Sequence, residues 1–225
     1  MLQENQKIIE AYEKRKSIEP GLGQGASLHY SRLISQEREH FYELFIREKF
    51  KDLSGLNFIE VGAGIGANIA TFERIGISRK NIHANELIPD RFITLRDNYP
   101  DIGLHEGNAI ELKLPDDHFD IVFQSTVFTS ILDTPVKQLL AAKMWAITKP
   151  GGILLWYDFI YDNPRNKDVK GVPKSEIRKL FPGAKNIRFQ KVTLAPPIGR
   201  RFVKLYKILN LFPFLRTHVI AVIEK

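Results

Sequence analysis

Apolar positions along this chain fall into two rhythms. Short apolar runs at Asn57–Val61, Asn81–Glu86, Ile102–His105, Phe119–Gln124 and Gly152–Tyr157 alternate with helical spacing at Ile65–Ile75, Pro89–Tyr99 and Thr134–Ile147. Strands that alternate with helices argue for a parallel sheet covered on both faces, its crossovers right-handed. Ahead of this region, Leu2–Lys16 reads as an exposed, lid-like helix and Pro20–Gly25 as a hinge. Ser35–Lys51 then reads as a helix carrying Phe41, Leu44, Phe45 and Glu48 at helical spacing. Behind the alternation come a short helix at Pro173–Phe181, a strand at Asn186–Leu194, an amphipathic helix at Gly199–Leu211 and a last strand at Thr217–Ile223. The pattern divides the chain into an N-terminal helical extension, residues 1–51, and an α/β domain, residues 52–225.

Composition narrows the function classes. A chain of 225 residues suits one domain, and 44% hydrophobic with 26% charged residues excludes a disordered or collagen-like chain. Cysteine is absent, which removes thiol nucleophiles, cysteine-bearing zinc sites, iron–sulfur clusters and disulfides, and favours a reducing, cytoplasmic home. The N-terminus lacks the apolar core of a signal peptide, and no stretch approaches the roughly 20 apolar residues of a membrane span, so a soluble protein is expected. Lys and Arg number 33 against 26 Asp and Glu, a net charge of +7. Nucleic acid would suit that charge, but the basic residues are spread along the chain and no RNA-binding appendage is visible. The six histidines are scattered, with none at i, i+4 beside a third ligand, so no metal site is expected.

The densest chemistry lies in Phe58-Ile59-Glu60-Val61-Gly62-Ala63-Gly64-Ile65-Gly66-Ala67-Asn68, a strand that runs through glycines into a helix. Such a turn lets a ligand lie against backbone N–H groups at a helix start. Twenty positions after Gly66, at the end of the next strand, Glu86 can accept hydrogen bonds from both hydroxyls of an adenosine ribose. Gly62, Gly64 and Ala67 satisfy the looser dinucleotide fingerprint, so an NAD(P) oxidoreductase stays open on this turn alone.

The same stretch, written Glu-x-Gly-x-Gly-x-Gly, resembles motif I of class I S-adenosylmethionine (SAM) methyltransferases. Later segments extend the resemblance across Asn57–Tyr157: Glu106-Gly107-Asn108-Ala109, Pro115–Phe123, and the Lys149-Pro150-Gly151-Gly152 turn. It implies a seven-stranded, mostly parallel doubly wound sheet in the order 3-2-1-4-5-7-6 with strand 7 antiparallel. SAM is the implied cofactor and S-adenosylhomocysteine the product. Carried over residue by residue, the implied cofactor contacts are Glu60, Gly62, Ala63, Gly64, Gly66, Asn68, Glu86, Leu87, Asn108, Ala109, Gln124 and Tyr30. Asn108 stands where the family usually has Asp, and its amide oxygen can still accept from an adenine amino group. Tyr30 belongs to His29-Tyr30-Ser31-Arg32, where this family often closes a segment over SAM.

An antiparallel last strand brings its first residues to the ligand-binding rim. That places Arg216 and His218 near Gln124, Ser125, Tyr157, Asp158 and Thr193. An alcohol acceptor needs a base; His218 is one candidate, and Asp158 can act directly or orient the histidine. Ser125, Tyr157, Arg165, Arg200 and Arg216 are the candidate acceptor contacts. Tyr157–Asn166, Thr193–Pro197 and Leu215–His218 are together similar to bacterial methyltransferases of surface-polysaccharide and sugar-modifying pathways, which implies a sugar hydroxyl as acceptor, free or on a lipid-linked glycan. The helix at Gly199–Leu211, with Arg200, Arg201, Lys204 and Lys207, reads as a cap over the acceptor, a face towards anionic lipid, or a core helix with a solvated basic side. An RNA methyltransferase and a non-catalytic SAM-binding protein are the remaining alternatives.

Overall fold

The computed structural model describes residues 2–18, 24–164 and 166–225. Seven strands form one sheet: β1 (Phe58–Val61), β2 (Ile82–Glu86), β3 (Gly103–Glu106), β4 (Phe119–Ser125), β5 (Thr148–Phe159), β6 (Asn186–Leu194) and β7 (Arg216–Glu224). Their order is β3-β2-β1-β4-β5-β7-β6; β1 to β5 pair in parallel, and β7 lies antiparallel between β5 and β6. This is the doubly wound arrangement expected from the sequence.

Strict alternation along the strands builds two cores. Phe58, Phe123, Leu155 and Ile220 face one side, under α2 (Gln24–Lys49), α3 (Ile69–Ile75) and α4 (Pro89–Asn98). Helix α2 gives that core Tyr42, Phe45 and Ile46. Val122, Leu154, Trp156, Val219 and Ala221 face the other side, under α5 (Thr134–Ile147) and α6 (Lys174–Leu180). Asp133 caps α5 by accepting from the Val136 N–H at 3.0 Å, and Pro135 fits its first turn.

Four elements differ from the sequence pattern, the first being β5, which runs from Thr148 to Phe159 rather than from Gly152 to Tyr157 and takes in the expected turn at Lys149–Gly152. Helix α2 begins at Gln24 rather than Ser35; of the expected hinge, residues 20–23 lie outside the described residues. Helix α3 starts only at Ile69, because the glycine turn continues to Asn68. The helix expected over Gly199–Leu211 is broken into α7 (Pro196–Arg201), a 3-10 turn at Val203–Leu205 and α8 (Tyr206–Leu209). The break falls where Phe202 leaves helical geometry (φ −117°, ψ 42°), and beyond it Tyr206 turns inward to meet Glu37 of α2. Helix α1 (Leu2–Ile18) lies against the domain: its Glu4 carboxylate accepts from the N–H groups of Leu132 (2.8 Å) and Asp133 (3.1 Å).

Candidate active site

The carboxyl ends of β1, β2 and β4 open onto a crevice of about 280 Å³. Its floor is the glycine turn after β1. Gly64 adopts φ +63°, a left-handed conformation that costs other residues energy, and its N–H donates to Glu86 Oε2 at 2.7 Å. Gly66 serves packing instead: a Cβ there would lie 2.5 Å from the Tyr99 ring. The Glu86 side chain also accepts from the Ile88 N–H at 2.8 Å, so it is held in place with acceptor capacity on both oxygens left over. Asn85 Nδ2 donates to the carbonyls of His105 (3.0 Å) and Gly107 (2.8 Å), tying the end of β2 to the loop after β3. In that loop Asn108 Oδ1 accepts from the Ile110 N–H at 3.1 Å.

Two buried polar atoms at this crevice lack a partner. Glu60 accepts from Asn68 Nδ2 at 2.6 Å through Oε1, while its Oε2 is buried and unpaired. Burial raises the Glu60 carboxyl to about 8, partly opposed by the Asn68 hydrogen bond and by Arg38. Arg38, on α2, also lines the crevice, and its Nε is buried and unpaired. An ammonium at Glu60 and a carboxylate at Arg38 would satisfy both atoms; Glu86 would suit a ribose, and the Asn108–Ile110 loop a base. The residues present therefore fit SAM, whose parts carry these groups.

Of the residues singled out in the sequence, Glu60, Gly62, Ala63, Gly64, Asn68, Glu86, Leu87, Asn108, Ala109 and Ser125 line this crevice. Several others do not. Gln124 points to the α5 face of the sheet, where its Oε1 accepts from the N–H of Val127 at 3.0 Å; it braces that crevice residue and the turn after β4 and does not itself line the crevice. Tyr30 is buried with Leu194 and Tyr206 and donates to the Leu194 carbonyl at 2.7 Å, a packing role beside α7 rather than a cover for cofactor. Arg216 donates to the backbone of Asn210 and Lys191, and Arg200 sits exposed, 6.0 Å from the Tyr30 ring. Arg165 lies outside the described residues.

The pairing of Asp158 with His218 also fails, for a geometric reason. Asp158 projects to the α5 face, where it accepts from Thr129 Oγ1 (2.7 Å) and Gln124 Nε2 (3.3 Å), fully buried, and burial raises it to about 7. His218 projects to the α2 face and stacks on Tyr157 with ring centroids 5.1 Å apart. Burial, then the Arg38 charge, lowers His218 to about 3, which makes it a weak base. Tyr157 is buried beneath Arg38, whose guanidinium lies 4.8 Å from the ring centroid, and its hydroxyl lies 2.9 Å from Thr193 Oγ1.

The sequence reading missed Arg38, Tyr12 and Arg91. Arg38 shares one helical stripe with Tyr42 and Phe45, and a lone charge on an apolar stripe was the available signal. Tyr12 of α1 lies under the Arg91 guanidinium of α4, 4.8 Å from ring centroid to Cζ, so α1 roofs the crevice. That contact joins elements far apart in the chain and has no local signature. The structure also gathers three of the scattered histidines: His83 Nδ1 lies 2.9 Å from His105 Nε2, and His118 packs edge-on to His83. Among the described residues no group of three or more His, Asp or Glu side chains could hold a metal ion.

Residues 59–156 match the methyltransferase domain family. Among curated proteins, the demethylmenaquinone methyltransferase of Lysinibacillus sphaericus is 32% identical over 48% of this chain and 38% of its own length. The ubiquinone/menaquinone biosynthesis C-methyltransferase UbiE of Vibrio vulnificus is 31% identical over 47% of this chain and 42% of its own. The match thus spans less than half the length of these relatives. None of the relatives found is named for a sugar or polysaccharide pathway, so the second resemblance gains no support from them. Among solved structures, a SAM-dependent methyltransferase from Archaeoglobus fulgidus aligns with a TM-score of 0.60 at 14% identity, covering 83% of this chain and 94% of that one. The [4+2]-cyclase SpnF aligns with a TM-score of 0.61 at 12% identity over 84% of this chain and 82% of that one, so the fold alone does not fix a reaction. Residues 59–156, which supply most of the crevice lining, thus match a methyltransferase domain, and that match, with the shared fold of the SAM-dependent methyltransferases, implies S-adenosylmethionine as the cofactor.

Proposed function

We propose that this protein transfers a methyl group from SAM to a small-molecule acceptor whose attacking atom is already electron-rich, such as a ring carbon activated by a neighbouring hydroxyl. The observation that carries the methyl-transfer reading is the convergence in one crevice of Glu86, the glycine turn, and the two unpaired atoms Glu60 Oε2 and Arg38 Nε. SAM supplies an electrophilic methyl on a sulfonium. The chain's own task is to hold donor and acceptor in line and to exclude water. Glu86 would fix the ribose, while Glu60 and Arg38 would fix the amino-acid end. Helix α1, tied down through Glu4 and Tyr12, closes the roof.

The acceptor class follows from what the crevice lacks. Among its described lining residues, the carboxylates are Glu60 and Glu86, both of which this reading gives to the donor. Neither His218 nor Asp158 lines it. An unactivated alcohol would therefore find no base, whereas an electron-rich carbon needs none before attack: the S–CH3 electrons leave with S-adenosylhomocysteine, and the methylated carbon loses its proton afterwards to solvent at the rim. The quinone-pathway names of the curated relatives agree with such an acceptor. The sugar-hydroxyl reading has less support, since Asp162 Oδ1 accepts from the Gly171 N–H at 2.9 Å and Tyr161 accepts from Lys191 Nζ at 3.0 Å, contacts that build the loop itself.

Calorimetry with SAM and with NAD separates the donor classes, and a labelled-methyl screen of hydroquinones against nucleotide sugars and RNA separates the acceptors. Glu86→Ala is expected to weaken SAM by about 1–3 kcal/mol. Absence of SAM binding to the unaltered protein overturns the reading; transfer to a sugar hydroxyl alone overturns the acceptor class.

A further inference from the structure

From Pro196 to Arg216 the chain carries five basic residues and no acidic one. Within the same stretch Phe202, Leu205, Ile208, Leu211, Phe212 and Phe214 are all exposed, Leu211 at 72% and Phe214 at 74%. Single exposed apolar side chains are ordinary, but a group of large ones rimmed by one sign of charge marks an interaction surface. The segment is firmly held from beneath. Tyr206 Oη and Asn210 Nδ2 each donate to Glu37 at 2.7 Å, Arg216 Nη1 donates to the Lys191 carbonyl at 2.9 Å, and Gly199 seats the Tyr30 ring. The apolar side chains are thus presented outward by a fixed scaffold.

The surface also sits at the working edge of the sheet. It follows the end of β6, on the rim where β1, β2 and β4 form the crevice. Glu37, which clamps it, immediately precedes Arg38, which lines the crevice.

We propose that residues 196–216 form a docking surface for an anionic lipid bilayer. Leu211, Phe212 and Phe214 would enter the headgroup boundary while Arg201, Lys204 and Lys207 meet anionic headgroups. Charge decides the occupant. A second copy of this chain would bring an equally basic patch against this one in a two-fold interface, whereas an anionic bilayer complements both the patch and the net charge of +7. That the surface delivers a lipid-borne acceptor to the crevice rests on the methyl-transfer reading; the docking itself does not.

Flotation of the full chain with vesicles tests the docking, using phosphatidylcholine alone and phosphatidylcholine with about 30% phosphatidylglycerol. Binding to the anionic vesicles is expected, roughly tenfold weaker on neutral ones and in about 0.5 M salt. The pair Leu211→Ser with Phe214→Ser should lose about tenfold in partitioning, and Lys204→Glu with Lys207→Glu should erase the anionic preference. Both double variants should keep the melting temperature and the SAM affinity of the parent. No binding to anionic vesicles at low salt overturns the proposal. So does binding that the apolar pair leaves unchanged, or a dimer, seen by light scattering, that the apolar pair dissolves. Failure of SAM to bind while vesicle binding persists overturns only the methyl-transfer reading.

Discussion

Glu60 is a buried carboxyl whose charge depends on what lies beside it. Held near 8 by burial, it is protonated in the free protein at neutral pH. An ammonium placed at its unpaired Oε2 favours the ionised form, so SAM binding at pH 7 should release a proton and tighten as pH rises from about 6 to 8. Calorimetry in two buffers of different ionisation enthalpy measures that proton, and Glu60→Gln should abolish its release. Asp158, raised to about 7, bears on stability instead. Its folded value lies above its unfolded one, so the native state gains from the bound proton at low pH and loses that gain as pH climbs from about 4 through 7. Asp158→Asn should remove this slope, a difference on the order of 3 kcal/mol in denaturant melts between pH 4 and 8. At this scale the glycine turn and Glu86 were legible because their chemistry is local and regularly spaced. Gln124, Asp158 and His218 were misread because their faces depend on strand register, where one residue's difference moves a side chain across the sheet.

Among the elements, α1 is tied to the rest of the chain at identifiable points. Glu4 accepts two backbone N–H groups at the head of α5, and Tyr12 meets Arg91. Loss of charged hydrogen bonds of this kind costs about 1.5–3 kcal/mol each. Glu4→Ala should therefore expose α1 to proteolysis at least tenfold faster and raise the SAM dissociation rate, while the global melting temperature moves little. The β2–β3 edge carries a different sensitivity. Burial, then His105 and His118, lowers His83 to about 4, so stability present above about 6.5 is lost as pH falls towards 4. His83→Gln should flatten that loss in thermal melts. Most strands and α4, α5 and α6 were legible to within a residue or two, since apolar runs and proline or Asp caps announce them. The break at Phe202 was not, because it serves the distant contact between Tyr206 and Glu37.

For the whole molecule, a ligand that binds only the native state adds stability by mass action, about 2.7 kcal/mol at a hundredfold excess over Kd. For a chain of 225 residues that corresponds to a melting temperature raised by roughly 5–10 °C. SAM should produce this shift and NAD should not, as scanning fluorimetry would show. The tie from Glu4 to Leu132 spans 128 positions of sequence. On a ribosome the first helix therefore emerges long before the N–H groups that receive it have been made. The roof must wait, unmoored, until the middle of the sheet exists, and the crevice is sealed only after the walls beneath it stand.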